Sequence, residues 1–316
     1  MPQPIIYLQR NFRSEFIKEI SKIAPNYRIM YQLQPEELAD VEISVGWNPT
    51  FATALLAADS HLKWVQAISA GVDTLPLTTF TEKNNLLSNG SGIHTLAISE
   101  HVLGVILAYY RNLITAIHAQ EKQIWDREAG SFQQLAGKKA LILGTGQIGQ
   151  QIAQCFQAFG VSSYGVNTTG HSVPNFTATY PLPNSSAISS EVDIVINCLP
   201  LTKETTNFFD LAFFQQMKNS AMFINVGRGP SVNTADLIQA LQNKQLAFAA
   251  LDVFEKEPLS SDSSLWQMDN VLITPHISGI SADFQRKFMD IFLPNLQSYL
   301  TEGTLVKNQV DLTKGY

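Results

Sequence analysis

A chain of 316 residues, 45% of them hydrophobic, is long enough to bury two cores rather than one. Its formal net charge of −6, with Lys and Arg spread along the chain, gives no electrostatic reason to expect nucleic acid or an anionic membrane as a partner. Cys155 and Cys198 are its only cysteines, which is no disulfide framework and fits two buried thiols in a reducing compartment.

The amino terminus, Met1-Pro2-Gln3-Pro4, has no basic segment of the kind that opens a secretory signal, and the longest apolar run, Val102 to Tyr110, is too short to span a bilayer. A cytoplasmic protein is expected. Ile5-Ile6-Tyr7-Leu8 reads as a first strand, followed by Phe12, Phe16, Ile20 and Ile23 at helical spacing up to Pro25. Val41 to Trp47 and Trp64 to Ile68 continue the alternation, so residues 1–98 read as a small α/β domain. A single long helix is expected from Thr95 to Gln120, bridging to a second domain over 99–281. That domain opens with Lys139 to Leu143 and continues with strands at Asp193 to Cys198, Ala221 to Val226, Leu246 to Val253 and Asn270 to Thr274. Ser172 to Ser190 reads as an irregular loop. A last helix, Ser281 to Leu300, suits a return to the first domain, which is then 1–98 with 282–316. The fold class is α/β, two doubly wound parallel sheets with a Rossmann domain inserted in a flavodoxin-like one.

Gly144-Thr145-Gly146-Gln147-Ile148-Gly149 directly follows an apolar strand and opens a helix, the context that turns a weak glycine pattern into a dinucleotide signal. Gly144 allows the tight turn, Gly146 lets a pyrophosphate approach the backbone, and Gly149 lets helix and strand pack closely. The next strand ends in Asn167-Thr168-Thr169, where a carboxylate would receive the ribose hydroxyls of NAD. These side chains accept a 2′-phosphate without charge repulsion and His171 stands nearby, so NADP is favoured over NAD.

Three later strands each end in a chemically capable residue: Arg228 after Asn225-Val226-Gly227, two carboxylates in Asp252-Val253-Phe254-Glu255-Lys256-Glu257, and His276 after Thr274-Pro275. All fall at the carboxyl edge of a parallel sheet, where such folds bind ligands. Together they can anchor an anionic substrate and hold a proton donor, for which a positioned imidazole is suited near neutral pH. A carboxylate orients that ring, and an arginine fork grips carboxylate and carbonyl oxygens together. No His, Cys and carboxylate cluster has metal-ligand spacing, so no metal is expected.

In this order the motifs resemble the D-isomer-specific 2-hydroxyacid dehydrogenase family. The likeness extends to Ser69-Ala70-Gly71-Val72-Asp73, Ser99-Glu100-His101 and the terminal Val310-Asp311 with Gly315-Tyr316. It implies two α/β domains around a cleft, hydride transfer between a nicotinamide and a 2-oxo or 2-hydroxy acid, and a homodimer. It makes Glu257, directly before proline, the partner of His276, and leaves Glu255 as a solvated loop charge. Leu199, Pro200, Thr205, Val226, Gly227, Asp252 and Ser278 are expected at the cofactor, and Ala70, Gly71, Val72 and Trp47 at the substrate with Arg228 and His276. Trp47 reads equally well as core packing. His61, His94, His101 and His118 read as structural, and Trp125 and Trp266 as packing, the former also as a dimer contact. The absence of an acid after the second strand is similar to the glyoxylate and hydroxypyruvate reductase branch. An alternative is a dinucleotide-sensing scaffold resembling the C-terminal-binding protein corepressors.

Overall fold

The computed structural model describes residues 3–128, 130 and 132–314. Met1, Pro2 and the Gly315-Tyr316 motif lie outside the described residues. The chain divides into two compact units, Met1–His94 with Ser281–Tyr316, and Thr95–Ile280.

The first unit begins with β1 (Ile5–Leu8), α1 (Ser14–Ile23), β2 (Arg28–Met30), β3 (Val41–Val45), α2 (Ala52–Leu55), β4 (Trp64–Gln66), α3 (Leu77–Glu82) and β5 (Leu86–Ser88). Its strands form a parallel sheet in the order β2-β1-β3-β4-β5, the flavodoxin-like arrangement. Every residue of β1 is buried, which a continuous apolar run allows and a sheet covered on both faces requires. The three-residue strands β2 and β5 escape a reading based on apolar runs. Arg28–Met30 is a half-buried edge, and Leu86–Ser88 ends in a polar residue.

In the second unit the expected single helix is two, α4 (Thr95–Tyr110) and α5 (Leu113–Glu121), bent by 71°. The break is at Asn112, whose φ of 57° is left-handed, a conformation that asparagine tolerates better than most residues. Apolar side chains continue on both sides of it, so periodicity alone hides the corner. Among the described residues, no single helix is long and apolar enough to cross a membrane.

The chain then runs through β6 (Lys139–Leu143), α6 (Gln147–Ala158), β7 (Ser162–Asn167), β8 (Ala178–Pro181), α7 (Ser185–Ser189), β9 (Ile194–Asn197), α8 (Leu211–Gln216), β10 (Met222–Asn225), α9 (Thr234–Gln242), β11 (Phe248–Leu251) and β12 (Val271–Ile273). The order β12-β11-β10-β9-β6-β7-β8, parallel throughout, reverses direction between β6 and β9. That is the doubly wound Rossmann arrangement with its switch point beside the glycine motif. The region 172–190 is therefore not an irregular loop but holds β8 and α7. Its edge strand is only half-buried and ends in Pro181, so it carries no continuous apolar signal. α6 turns Gly149, Ile152, Ala153 and Phe156 inward at helical spacing. Burying Ile152 and Phe156 completely contributes about 1.5–3 kcal/mol each.

α10 (Phe284–Glu302) completes the first unit, packing Phe288, Met289, Phe292 and Leu296 with Phe16 and Ile20 of α1. Buried Asn295 ties down the segment beyond it, accepting from the N–H groups of Val306 and Lys307 and donating to the Lys307 carbonyl. Asn89 N then donates to Asn308 O and Val310 N to Leu87 O, so the tail borders β5.

Candidate active site

The glycine turn is built by steric necessity at two of its three glycines. Gly144 has φ +101°, and a Cβ there would lie 2.8 Å from the Cys198 carbonyl at the end of β9. At Gly149 a Cβ would meet the Gly144 carbonyl at 2.0 Å. Gly146 differs, because a Cβ built there has no atom within 4 Å. The space above it is a cradle that any side chain would begin to fill. Among the described residues, the N–H groups of Thr145, Gly146 and Ile148 have no protein acceptor. Open donors at a helix start, next to bare backbone at a switch point, fit a dinucleotide pyrophosphate. Cys198 adds no reactivity, since burial pushes its thiol up to about 12.

The loop after β7 is organised by Asn167. Its Oδ1 accepts from the N–H groups of Thr169 and Gly170, and its Nδ2 donates to Thr145 Oγ1 and the His171 carbonyl. The amide's donors and acceptors are therefore all engaged within the protein, so a 2′-phosphate reaching this side chain would have to replace one of these bonds. Thr168 and Thr169 are exposed, with Thr169 Oγ1 3.0 Å from His171 Nδ1.

Arg228, Glu257 and His276 follow β10, β11 and β12, three adjacent strands of one sheet. His276 Nδ1 lies 2.7 Å from Glu257 Oε2, while Glu257 Oε1 accepts from Phe254 N at 3.0 Å. The imidazole is therefore held at one nitrogen, with its side chain 58% exposed and the carboxylate beside it 35% exposed. Arg228 is half-buried and its Nη1 donates to the Gly227 carbonyl. Its own carbonyl accepts from Ser231 Oγ and Asn225 Nδ2. The arginine loop lies directly on the glutamate loop: a Cβ at Gly229 would sit 1.8 Å from the Phe254 carbonyl. Glu255 is not simply a solvated charge. Its Oε2 accepts from Thr234 N at the start of α9, where a negative charge is favourable.

Asp252 is 2% exposed and its carboxylate is committed within the chain. It accepts from Thr274 Oγ1 at 2.6 Å, Ile277 N at 2.9 Å and Ser278 N at 3.0 Å, while its carbonyl accepts from His276 N. Burial pushes this carboxyl up, but the hydrogen bonds from Ser278, Thr274 and Ile277 outweigh it and hold it below the usual carboxylate range. Asp252 thus clamps the loop on which His276 stands at φ +54°. Nothing in the local sequence signals this, because two of its partners are backbone amides 25 and 26 residues away. Thr205 is likewise turned inward, its hydroxyl accepting from Thr202 N and donating to the Pro200 carbonyl. Leu199 and Gly227 bring the ends of β9 and β10 together: a Cβ at Gly227 would be 3.0 Å from the Leu199 carbonyl. Val226 and Ser278 are buried, and Pro200 is exposed.

In the first unit, the carbonyls of Ala70 and Gly71 are held by Asn89 Nδ2 and Ser69 Oγ. The N–H groups of Ala70, Gly71 and Val72 have no acceptor among the described residues. Such a run of open amides has the chemistry to receive an anion. Trp47 packs edge-on against Phe80 with centroids 5.2 Å apart, which favours its core reading. His94 stacks on Phe284, and His61 Nδ1 meets the Ala39 carbonyl. Trp266 is half-exposed, with its indole donating to Ser260 O, and Trp125 is 92% exposed, so neither packs in a core. Among the described residues, no group of three or more His, Cys, Asp or Glu could hold a metal ion.

The sequence profile described as D-isomer specific 2-hydroxyacid dehydrogenase, NAD binding domain, matches residues 103–278. Glyoxylate/hydroxypyruvate reductase B of Salmonella schwarzengrund (strain CVM19633) is 34% identical over 274 residues, 84% of this chain and 83% of that protein. A solved phosphoglycerate dehydrogenase from Lactobacillus plantarum is 39% identical with a TM-score of 0.59, covering 97% of this chain and 100% of its own. A D-isomer specific 2-hydroxyacid dehydrogenase from Xanthobacter autotrophicus Py2, solved with NADPH and MES, is 27% identical with a TM-score of 0.82, covering 99% of each chain.

Proposed function

Because the chain belongs to the D-isomer specific 2-hydroxyacid dehydrogenase family, we propose that it reduces a 2-oxo acid to a D-2-hydroxy acid with a nicotinamide dinucleotide, glyoxylate or hydroxypyruvate being the first candidates. The observation that carries this reading is the His276–Glu257 pair at 2.7 Å, one strand away from Arg228. Glu257 occupies Nδ1 of the ring, leaving Nε2 as the nitrogen that gives its proton to the substrate oxygen. The Arg228 fork grips the substrate carboxylate and fixes which face of the carbonyl is presented. In the other unit, the open amides of Ala70, Gly71 and Val72 suit a carboxylate. The reduced nicotinamide, when bound, supplies the hydride. Thr145, Gly146 and Ile148 offer its pyrophosphate backbone donors.

NADPH is the preferred form on this reading: the loop after β7 has no acid, and the exposed Thr168, Thr169 and His171 can receive a phosphate. The Xanthobacter relative was solved with that cofactor. The protein works as a cytoplasmic homodimer, with exposed Ile117, Ile124, Trp125 and Phe132 of the second unit covered by a second copy. The scaffold reading has no counterpart among these three relatives.

The test is loss of nicotinamide absorbance with NADPH or NADH and a panel of glyoxylate, hydroxypyruvate, phosphohydroxypyruvate, phenylpyruvate and branched 2-oxo acids. Turnover of one class with NADPH supports the reading. Cofactor binding without turnover of any acid removes it.

A further inference from the structure

The clamp on the His276 loop extends one residue further than Asp252, to a histidine that the reaction does not otherwise need. Thr274 Oγ1 has one hydrogen, which it donates to Asp252 Oδ1 at 2.6 Å. Its contact with His101 Nε2 at 3.4 Å can then only be one in which the hydroxyl accepts. The proton of His101 must stand on Nε2. The imidazole comes from α4, the threonine follows β12, and the aspartate follows β11, so the chain of contacts crosses three elements before it reaches the N–H groups of Ile277 and Ser278.

We propose that His101 is a positioning residue for the reaction: by donating to Thr274 it fixes the hydroxyl rotamer that donates to Asp252, and so sets the backbone from which His276 reaches Glu257. This rests on the reading of His276 as proton donor. Three features support it. His276 stands at φ +54°, a conformation that a non-glycine residue keeps only where its surroundings impose it. The imposing contacts are Asp252 and Thr274, whose carbonyls both accept from His276 N. Thr274 Oγ1 could otherwise rotate to another acceptor, and His101 is what occupies its lone-pair side. Burial lowers the His101 pKa against the opposing charge of Asp252, which favours the neutral ring and makes the proton's placement a tautomer choice.

The experiment compares His101→Leu with His101→Gln, whose side-chain amide can donate to Thr274. Steady-state rates, NADPH affinity, thermal midpoint and the downfield imidazole N–H resonance of His276 are measured on each. His101→Leu should lower kcat about tenfold with NADPH affinity unchanged and broaden the His276 resonance, a small misplacement of a reacting group being enough for such a loss. His101→Gln should recover most of both. Unchanged kcat and resonance in His101→Leu overturn the proposal. So does an equal fall of both variants in kcat together with thermal midpoint, which would mark His101 as packing alone. If the wild-type protein turns over no 2-oxo acid, the functional reading fails, while the resonance still tests the clamp.

Discussion

His276 and Glu257 meet at 2.7 Å across loops that leave neighbouring strands, and the second oxygen of Glu257 is pinned by Phe254 N at 3.0 Å. The carboxylate cannot follow the ring if it swings, so the pair has one orientation. Replacing His276 with Ala should lower kcat by roughly 10²–10⁴ and leave NADPH affinity intact, the usual scale for losing a general acid. Glu257→Gln, which keeps the size but removes the charge, should lower kcat/KM by at least about tenfold, or about 1.4 kcal/mol of transition-state stabilisation. Steady-state kinetics and fluorescence titration of NADPH check both.

The glycine motif separates into two kinds of position. Gly149→Ala forces a methyl group to 2.0 Å from a backbone carbonyl and should lower the thermal midpoint as well as cofactor affinity. Gly146→Ala meets no protein atom within 4 Å and should leave the midpoint unchanged while raising the dissociation constant for NADPH. A paired thermal melt and titration distinguishes them. Normal NADPH binding by Gly146→Ala would remove the pyrophosphate from this turn.

The clamp at Asp252 gives a dependence on pH with a definite sign. A carboxyl held below its unfolded value of about 3.9 contributes stability that is fully present above that value and is lost as pH falls through the lower folded one. The urea midpoint of the wild type should exceed that of Asp252→Asn at pH 7, and the gap should narrow in the acid range below about 4. A constant gap would mean the charge is not what holds the loop.

Asn167 decides how the loop after β7 tolerates charge. Asn167→Asp places a carboxylate where Nδ2 donates to the His171 carbonyl, and should weaken NADPH binding at least about tenfold while NADH changes less. The ratio of kcat/KM for the two cofactors reads this out.

Much of the fold is legible in the amino-acid sequence, and the exceptions share a cause. β6, β9, β10 and β11 are buried on both faces, so their apolar runs announce them. β8 is half-buried at an edge and β2 is three residues of mixed character, so neither leaves a periodic trace. The carboxyl-edge residues are legible because chemistry needs scarce residue types at strand ends. The task of Asp252 is not, because it binds backbone amides that only the folded loops bring within reach, and Asn167 reads as a ligand contact although its side chain closes a turn on the residues two to four positions on.

The return of α10 to the first unit has a consequence for synthesis. Phe16, Ile20 and Ile6 share their core with Phe288, Phe292, Leu296 and Leu305, and β5 is bordered by residues 308–310. On the ribosome, the first strands must wait, with apolar faces open, while the whole of the second unit is made. That second unit has its full sequence available earlier and can fold while the first is still incomplete. Premature termination between Ile280 and Leu305 should therefore leave a folded second unit joined to an aggregation-prone remnant.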